Sequence, residues 1–205
     1  MGRSFFQNTC KPEGFGGKMM VTMMNNGHAA MAKWGFSHIQ IEDNMQILDI
    51  GCGGGANVAT MLKENSGGKV YGIDYSEVSV EKSTKVNKKA IADGKCEIKQ
   101  GNVEKLEFVD EMFDLVTAFE TIYFWPDLEK CFKEVYRVVK NGGRFMVCNE
   151  SSGTNASDEK WTSIIEGMTV YKPTEIKAFL VQAGFINIEV DTNEKKWVNV
   201  IAYKK

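Results

Sequence analysis

Four glycines within five residues follow a short apolar segment, and this feature constrains the fold of the chain most. The segment Ile47–Ile50 leads directly into Gly51-Cys52-Gly53-Gly54-Gly55, after which a helical pattern begins. Glycines at a strand-to-helix turn permit positive φ angles and let a ligand lie against the main chain. The start of the following helix offers N–H groups that have no intrahelical partner. The loop therefore predicts a nucleotide-like ligand at the end of a buried strand.

Strand and helix patterns alternate along the rest of the chain. Apolar patterning predicts strands over 46–50, 69–73, 96–100, 113–118, 144–148, 186–190 and 197–203. It predicts helices over 19–34, 57–65, 77–92, 128–139 and 174–182, the fourth stopped by Asn141-Gly142-Gly143. Alternation favours parallel strands with helices on both faces, and the short link 191–195 lets the last two strands pair antiparallel. We therefore expect an α/β fold with a Rossmann-like, doubly wound, mostly parallel sheet and an antiparallel C-terminal edge hairpin.

The length of 205 residues suits one such domain with a small addition. We expect residues 1–45 to form an N-terminal helical cap over the active site and 46–205 to form the Rossmann-like domain, with a second cap segment over 151–172. A net charge of −2 does not indicate a nucleic-acid partner. No stretch approaches the roughly 18 apolar residues of a membrane span. Monomer and homodimer are both compatible with the sequence.

The chain has five cysteines, which is an odd number, and no two of them form a CxxC pair. A disulfide framework and a zinc site are therefore not expected, and we predict no bound metal. Reduced, buried thiols of this kind are typical of a cytoplasmic protein.

Two ligand classes compete for the glycine loop. The stretch from Gly51 to Ala56 satisfies the dinucleotide pattern G-x-G-x-x-G/A, and Asp74 follows about 20 residues later. Asp49, however, precedes the loop directly, where its carboxylate would repel a pyrophosphate but could pair with the ammonium group of an amino acid. S-adenosyl-L-methionine carries that ammonium and no phosphate. The chain also shows no second substrate domain such as a dehydrogenase needs, so the residues favour S-adenosyl-L-methionine over NAD.

Five segments in order resemble the motifs of the class I S-adenosylmethionine-dependent methyltransferases: 49–55, 70–74, 98–103, 113–120 and 129–144. The resemblance implies that Asp74 binds both ribose hydroxyls, because a carboxylate can accept two hydrogen bonds at once. It also implies that Asn102, where many relatives have Asp, lies at the adenine edge. The cofactor-binding residues implied in this way are Asp49, Gly51, Cys52, Gly53, Gly55, Asp74, Tyr75, Asn102, Val103 and Phe119.

The candidates for catalysis are Glu120, His28 and Tyr123. Methyl transfer from a sulfonium needs alignment above all, and a base only where the acceptor must lose a proton. Glu120 and Tyr123 follow the fourth strand, where an acceptor is expected beyond the carboxyl end of the sheet. His28 has an unperturbed pKa suited to a base. Each also has an ordinary alternative role: Glu120 as a solvated loop acid, Tyr123 as an aromatic packed under the loop, and His28 as a surface or packing histidine.

Three functional hypotheses follow. The first is a methyltransferase that acts on a small-molecule acceptor, since the Asn-Pro-Pro-Tyr type signature of nucleic-acid amine methylation is absent after the fourth strand. The second is a non-catalytic module that binds S-adenosylmethionine through the same motifs. The third, a NAD-dependent oxidoreductase, is disfavoured by Asp49.

Overall fold

The computed structural model describes residues 27–154 and 156–205. Internal contacts divide the chain into two compact units, the first ending at Asn102 and the second covering Val103–Lys205. The predictions for residues 1–26, which include most of the N-terminal cap and of the helix over 19–34, lie outside the described residues.

The described residues of the first unit form three parallel strands in the order β3-β2-β1. Their bounds are β1 (Gln46–Ile50), β2 (Lys69–Asp74) and β3 (Cys96–Gln100). The helices described in this unit are α1 (Ala29–Phe36), α2 (Ala56–Glu64), α3 (Glu77–Val86) and α4 (Lys88–Ala92). Residues Ile47–Ile50 of β1 are all buried, and the nearly continuous apolar segment is typical of a strand in a parallel sheet.

In the second unit, the residues that the structure describes form four strands in the order β4-β5-β7-β6. Strands β4 and β5 are parallel, whereas β7 pairs antiparallel with both β5 and β6. The elements are β4 (Phe113–Phe119), a 3-10 helix (Ile122–Phe124), α5 (Leu128–Val138), β5 (Val139–Asn149), α6 (Ala156–Ile164), α7 (Pro173–Ala183), β6 (Ile186–Thr192) and β7 (Val198–Tyr203). The predicted antiparallel edge hairpin is thereby confirmed.

An aromatic cluster forms part of the core of the second unit. The ring of Trp125 lies 5.9 Å from that of Phe132 on α5 and 6.4 Å from that of Phe145 on β5. Only 7 % of Trp125 is exposed. This tryptophan, which follows the fourth strand, therefore packs in the core beneath α5.

Two predicted elements differ from the structure by more than a terminal residue or two. The single helix predicted over 77–92 is two helices, α3 and α4, which meet at Asn87. Strand β5 begins at Val139, so Asn141-Gly142-Gly143 belongs to the strand. The cause is pairing with the end of the chain: the Gly142 N–H donates to the Lys204 carbonyl, and the Lys204 N–H donates to the Gly143 carbonyl, each at 3.0 Å.

The cysteines of the described part of the chain are Cys52, Cys96, Cys131 and Cys148, and all four are buried and free of disulfides. Burial raises the pKa of Cys96 and of Cys131 to about 11, and it also raises the pKa of Cys52 and Cys148. The thiols are therefore protonated at neutral pH. No helix among the residues described is long and apolar enough to cross a bilayer.

Candidate functional site

The glycine loop of the first unit adopts the backbone that its sequence requires. Gly51, Gly53 and Gly55 have φ angles of 74°, 51° and 79°, which residues with a Cβ rarely adopt. The N–H groups of Gly51 and Cys52 both donate to the Ile73 carbonyl near the end of β2, at 2.8 and 2.9 Å. The loop is thereby tied to the neighbouring strand.

Two of these glycines serve different purposes. A Cβ added at Gly53 would meet no atom within 4 Å, so this position borders open space that a ligand can use. A Cβ at Gly55 would instead come within 2.6 Å of Asn87 Nδ2 and 2.9 Å of Ser83 Cα, besides meeting Ser83 Oγ. Gly55 is therefore required by the close packing of α3 against the loop.

The side chain of Cys52 points into the protein. It is 6 % exposed and packs against Gly72 of β2, where a Cβ would approach its Sγ to 3.0 Å. Its Sγ also lies 3.8 Å from Ser83 Oγ. Cys52 thus offers a ligand its main chain, while its thiol fills space between the loop and the sheet.

Asp74 lies at the end of β2 with 7 % of its surface exposed. Its Oδ2 accepts a hydrogen bond from the Gly53 N–H and its Oδ1 accepts one from the Ser76 N–H, both at 2.9 Å. Burial raises the pKa of Asp74, and the N–H donors partly oppose that shift. The Ser79 side chain also hydrogen-bonds to this carboxylate. Because a carboxylate has about four acceptor sites, it can still accept a hydrogen bond from a ribose hydroxyl.

The other predicted residues of the first unit differ in exposure. Asp49, the fourth residue of β1, is 1 % exposed, whereas Tyr75 is 39 % exposed and its carbonyl accepts a hydrogen bond from Gln100 Nε2 at 2.9 Å. Asn102 is exposed. His28 is half-buried and immediately precedes α1, and its carbonyl accepts the Ala32 N–H at 2.9 Å.

In the second unit, Glu120 directly follows Phe119 at the carboxyl end of β4 and has a φ of 60°. Its N–H donates to the Cys148 carbonyl of β5 at 3.0 Å. Its Oε1 accepts hydrogen bonds from Tyr123 Oη, at 3.0 Å, and from the Glu150 N–H. The carboxylate is thus fixed at the end of two adjacent strands. Phe119 and Val103, the predicted cofactor contacts of this unit, are 6 % and 7 % exposed.

Tyr123 holds this carboxylate in place. It is 3 % exposed, and burial followed by the charge of Glu120 raises the pKa of its phenol well above the usual value. The hydroxyl therefore stays protonated, donates to Glu120 and accepts the Ser151 N–H at 2.9 Å. The Tyr123 carbonyl accepts the Thr169 N–H at 2.9 Å, so both ends of the segment 151–172 are attached to this residue.

Ser151 and Thr169 belong to this site through main-chain atoms, and sequence reasoning did not single them out. No side-chain signal could have identified them, since any residue with an N–H would serve. Chemically, the arrangement presents a fixed carboxylate that can accept a proton or a hydrogen bond, or stabilise a positive charge.

A family model described as a methyltransferase domain matches residues 41–203. Among curated proteins, 24-methylenesterol C-methyltransferase 2 of Arabidopsis thaliana is 32 % identical over 132 residues, which are 63 % of this chain and 36 % of that protein. The chain therefore spans about a third of the length of this relative.

Solved structures show the same fold at low identity. An S-adenosylmethionine-dependent methyltransferase from Thermotoga maritima has a TM-score of 0.73 at 22 % identity, with 93 % of this chain and 96 % of that chain covered. Geranyl diphosphate C-methyltransferase from Streptomyces coelicolor A3(2), solved with S-adenosyl-L-homocysteine, has a TM-score of 0.73 at 14 % identity, with 86 % and 76 % covered. These likenesses confirm the predicted Rossmann-like fold class.

Proposed function

Because the chain belongs to the methyltransferase-domain family, we propose that it transfers the methyl group of S-adenosyl-L-methionine to a small, apolar acceptor molecule. The cofactor carries the methyl group on a positively charged sulfur. The sulfur is a good leaving group, because it departs as the neutral thioether of S-adenosylhomocysteine. The protein must then align the acceptor with that methyl group and keep water away, and alignment of this kind contributes about 7–11 kcal/mol.

The first unit fits this cofactor. Asp74 can still accept a hydrogen bond from a ribose hydroxyl beyond its bonds to Gly53, Ser76 and Ser79, and Gly53 borders open space beside it. The buried Asp49, in β1 just before the loop, suits an ammonium group better than a phosphate. The proposed cofactor contacts remain Asp49, Gly51, Cys52 (through its main chain), Gly53, Gly55, Asp74, Tyr75, Asn102, Val103 and Phe119.

The single observation that carries the catalytic proposal is the fixed carboxylate of Glu120. When the new bond to the methyl carbon forms, the acceptor gains positive charge and must release a proton. Glu120 stabilises that charge and takes the proton, while Tyr123, kept neutral by burial, holds the carboxylate in place. His28 stays in the proposal as a second candidate base.

Carbon is the acceptor atom that we propose. The relative from Arabidopsis is named as a sterol C-methyltransferase and the neighbour from Streptomyces as a geranyl diphosphate C-methyltransferase. Both names describe methylation of a carbon in an isoprenoid-derived molecule. A carboxylate near a developing positive charge suits such a reaction, since an electron-rich carbon attacks the methyl group before the proton leaves. The four cysteines of the described residues form no disulfide, which supports a reducing compartment such as the cytoplasm.

The test begins with an acceptor screen. The purified chain is incubated with methyl-labelled S-adenosylmethionine and a panel of isoprenoid alkenes, quinols, phenols, amines and thiols, and the products are identified by mass spectrometry. We expect label on a carbon of an apolar acceptor. Cofactor binding without transfer to any acceptor would favour the non-catalytic module instead.

Glu120→Gln then tests the catalytic role. We expect turnover to fall by at least about tenfold, because the amide neither takes the proton nor carries the negative charge. The affinity for S-adenosylhomocysteine should stay nearly unchanged.

Glu111→Gln is the matched control, because Glu111 is also an acid at positive φ, 54°, but precedes the opposite end of β4. Equal turnover in the wild type, Glu120→Gln and His28→Ala would refute the catalytic assignments, and equal losses in Glu120→Gln and Glu111→Gln would show a general effect on the fold.

A further inference from the structure

The break between α3 and α4 places a buried amide against the glycine loop. Asn87, the residue at the break, is 4 % exposed. Its Nδ2 donates to the Gly55 carbonyl at 3.1 Å and to the Ser83 carbonyl at 3.0 Å. Asn87 is the N-cap of α4, yet its side chain makes no capping hydrogen bond to that helix. The amide therefore acts on the loop and on α3.

Gly55 is the point at which the loop becomes a helix. It is the N-cap of α2, and its carbonyl also accepts the Ala59 N–H at 3.0 Å, within the first turn of that helix. Gly55 is held from two sides, since its carbonyl receives the Asn87 amide and its Cα has no room for a side chain against Ser83 and Asn87. The amide thus fixes the end of the loop whose Gly53 N–H binds Asp74.

We propose that Asn87 is a positioning residue for the cofactor. It keeps the glycine loop in its binding conformation before the ligand binds. The ligand then does not have to order the loop, so the binding free energy is not reduced by the cost of that ordering. This inference rests on the proposed function, because it assumes that the loop binds S-adenosylmethionine. It extends that function to a residue that touches the loop and lies outside the motifs.

Two substitutions remove the amide donor. Asn87→Asp keeps the shape of the side chain but places an oxygen against two carbonyls, and Asn87→Ala removes both hydrogen bonds without that repulsion. We expect Asn87→Ala to weaken S-adenosylhomocysteine binding about tenfold, since the net contribution of a hydrogen bond corresponds to roughly that factor. Asn87→Asp should weaken binding further. Should Asn87→Asp not fold, Asn87→Ala carries the test.

Asn65 provides a matched control in the same unit. It is a buried amide, 3 % exposed, that also binds the main chain: its Oδ1 accepts the Met45 N–H at 3.1 Å and its Nδ2 donates to the Met45 carbonyl at 2.8 Å. These bonds hold the chain before β1 and do not involve the glycine loop. Asn65→Asp and Asn65→Ala should therefore lower the melting temperature and leave the affinity unchanged.

Affinities are measured by titration calorimetry well below the melting temperature of every variant, and melting temperatures are measured separately. With an acceptor in hand, the Asn87 variants should raise the KM for S-adenosylmethionine and keep kcat at saturating cofactor. Folded Asn87 variants that bind like the wild type, or Asn65 variants that lose as much affinity, would overturn the inference while leaving the proposed function intact. A wild-type protein that binds no S-adenosylhomocysteine would overturn both.

Discussion

Asp74 combines two tasks in a single carboxylate. It ends β2 and satisfies the N–H groups of Gly53 and Ser76, so it shapes the loop as well as the expected ribose site. The motif at the end of the second strand identified Asp74 as a ligand residue. Its role in holding the loop was not predicted, because it depends on the distance between two segments that are about 20 residues apart.

Asp74→Ala should therefore affect binding and stability together. We expect S-adenosylhomocysteine affinity to fall at least about tenfold, because charge-assisted hydrogen bonds contribute about 1.5–3 kcal/mol each. The melting temperature should also fall, since two main-chain N–H groups lose their acceptor. Calorimetric titration and thermal unfolding measure the two effects. Unchanged affinity in a folded variant would show that the ribose binds elsewhere.

The raised pKa of Asp74 gives the cofactor affinity a pH dependence. The ionised form is the better acceptor, so the affinity should fall as the pH falls through this raised pKa. The effect of Asp74 on the free energy of unfolding has the opposite sign. Because its pKa is higher in the folded chain than in the unfolded chain, its stabilising contribution is fully present below the unfolded pKa and is lost as the pH rises through the folded pKa. Binding profiles of the wild type and Asp74→Asn test this. Profiles of identical shape would contradict it.

Part of the carboxylate site could not have been predicted. Glu120 was selected because it follows the fourth strand, but its positive φ and the hydrogen bonds to its Oε1 depend on Tyr123 and on the distant Glu150. A local sequence pattern carries no information on such contacts. The same holds for the attachment of Thr169 to the Tyr123 carbonyl.

Among the secondary-structure elements, α5 shows how local signals stabilise a helix. Asp127 is its N-cap, and the Asp127 side chain accepts the Lys130 N–H at 3.0 Å. Asp127→Ala should lower the free energy of unfolding by about 1 kcal/mol, which corresponds to a melting temperature lower by about 2–4 °C for a chain of this size.

Glu129→Ala is the control for this prediction. It removes an exposed ion pair with Lys133 one turn along the same helix, and such pairs contribute about 0.2–0.5 kcal/mol. Denaturant unfolding should therefore give a clearly lower free energy of unfolding for Asp127→Ala than for Glu129→Ala. Equal losses would mean that the cap contributes no more than a surface charge.

Element bounds were predicted best where local patterning decides them. Strands β1 and β3 have the predicted bounds, since each is a short apolar or alternating segment between clear turns. The break at Asn87 was not predicted because the surrounding residues favour a helix. The Asn87 amide donates a hydrogen bond to the Gly55 carbonyl, 32 residues earlier, and no local pattern indicates that contact. The early start of β5 likewise depends on Lys204 at the other end of the second unit.

For the whole molecule, the melting temperature should show which cofactor binds, because a ligand that binds only the folded state raises it. A ligand present at about 100 times its Kd stabilises the folded state by about 2.7 kcal/mol, which raises the melting temperature of a chain of this size by roughly 5–10 °C. We expect this shift with S-adenosylhomocysteine and none with NAD. A shift with NAD alone would reverse the assignment made from Asp49 and the glycine loop.

The four buried thiols can also be used to measure local unfolding of the chain. A thiol reagent attacks the thiolate, and burial keeps each of these groups both covered and protonated, so labelling measures how often a segment is transiently exposed. Cys52 and Cys96 belong to the first unit, and Cys131 and Cys148 to the second. In a Cys10→Ser background, labelling rates resolved by peptide mass would show whether the halves of the chain open together or separately. A slower rate at Cys52 in the presence of a nucleoside would place that ligand at the adjoining turn without any acceptor being known.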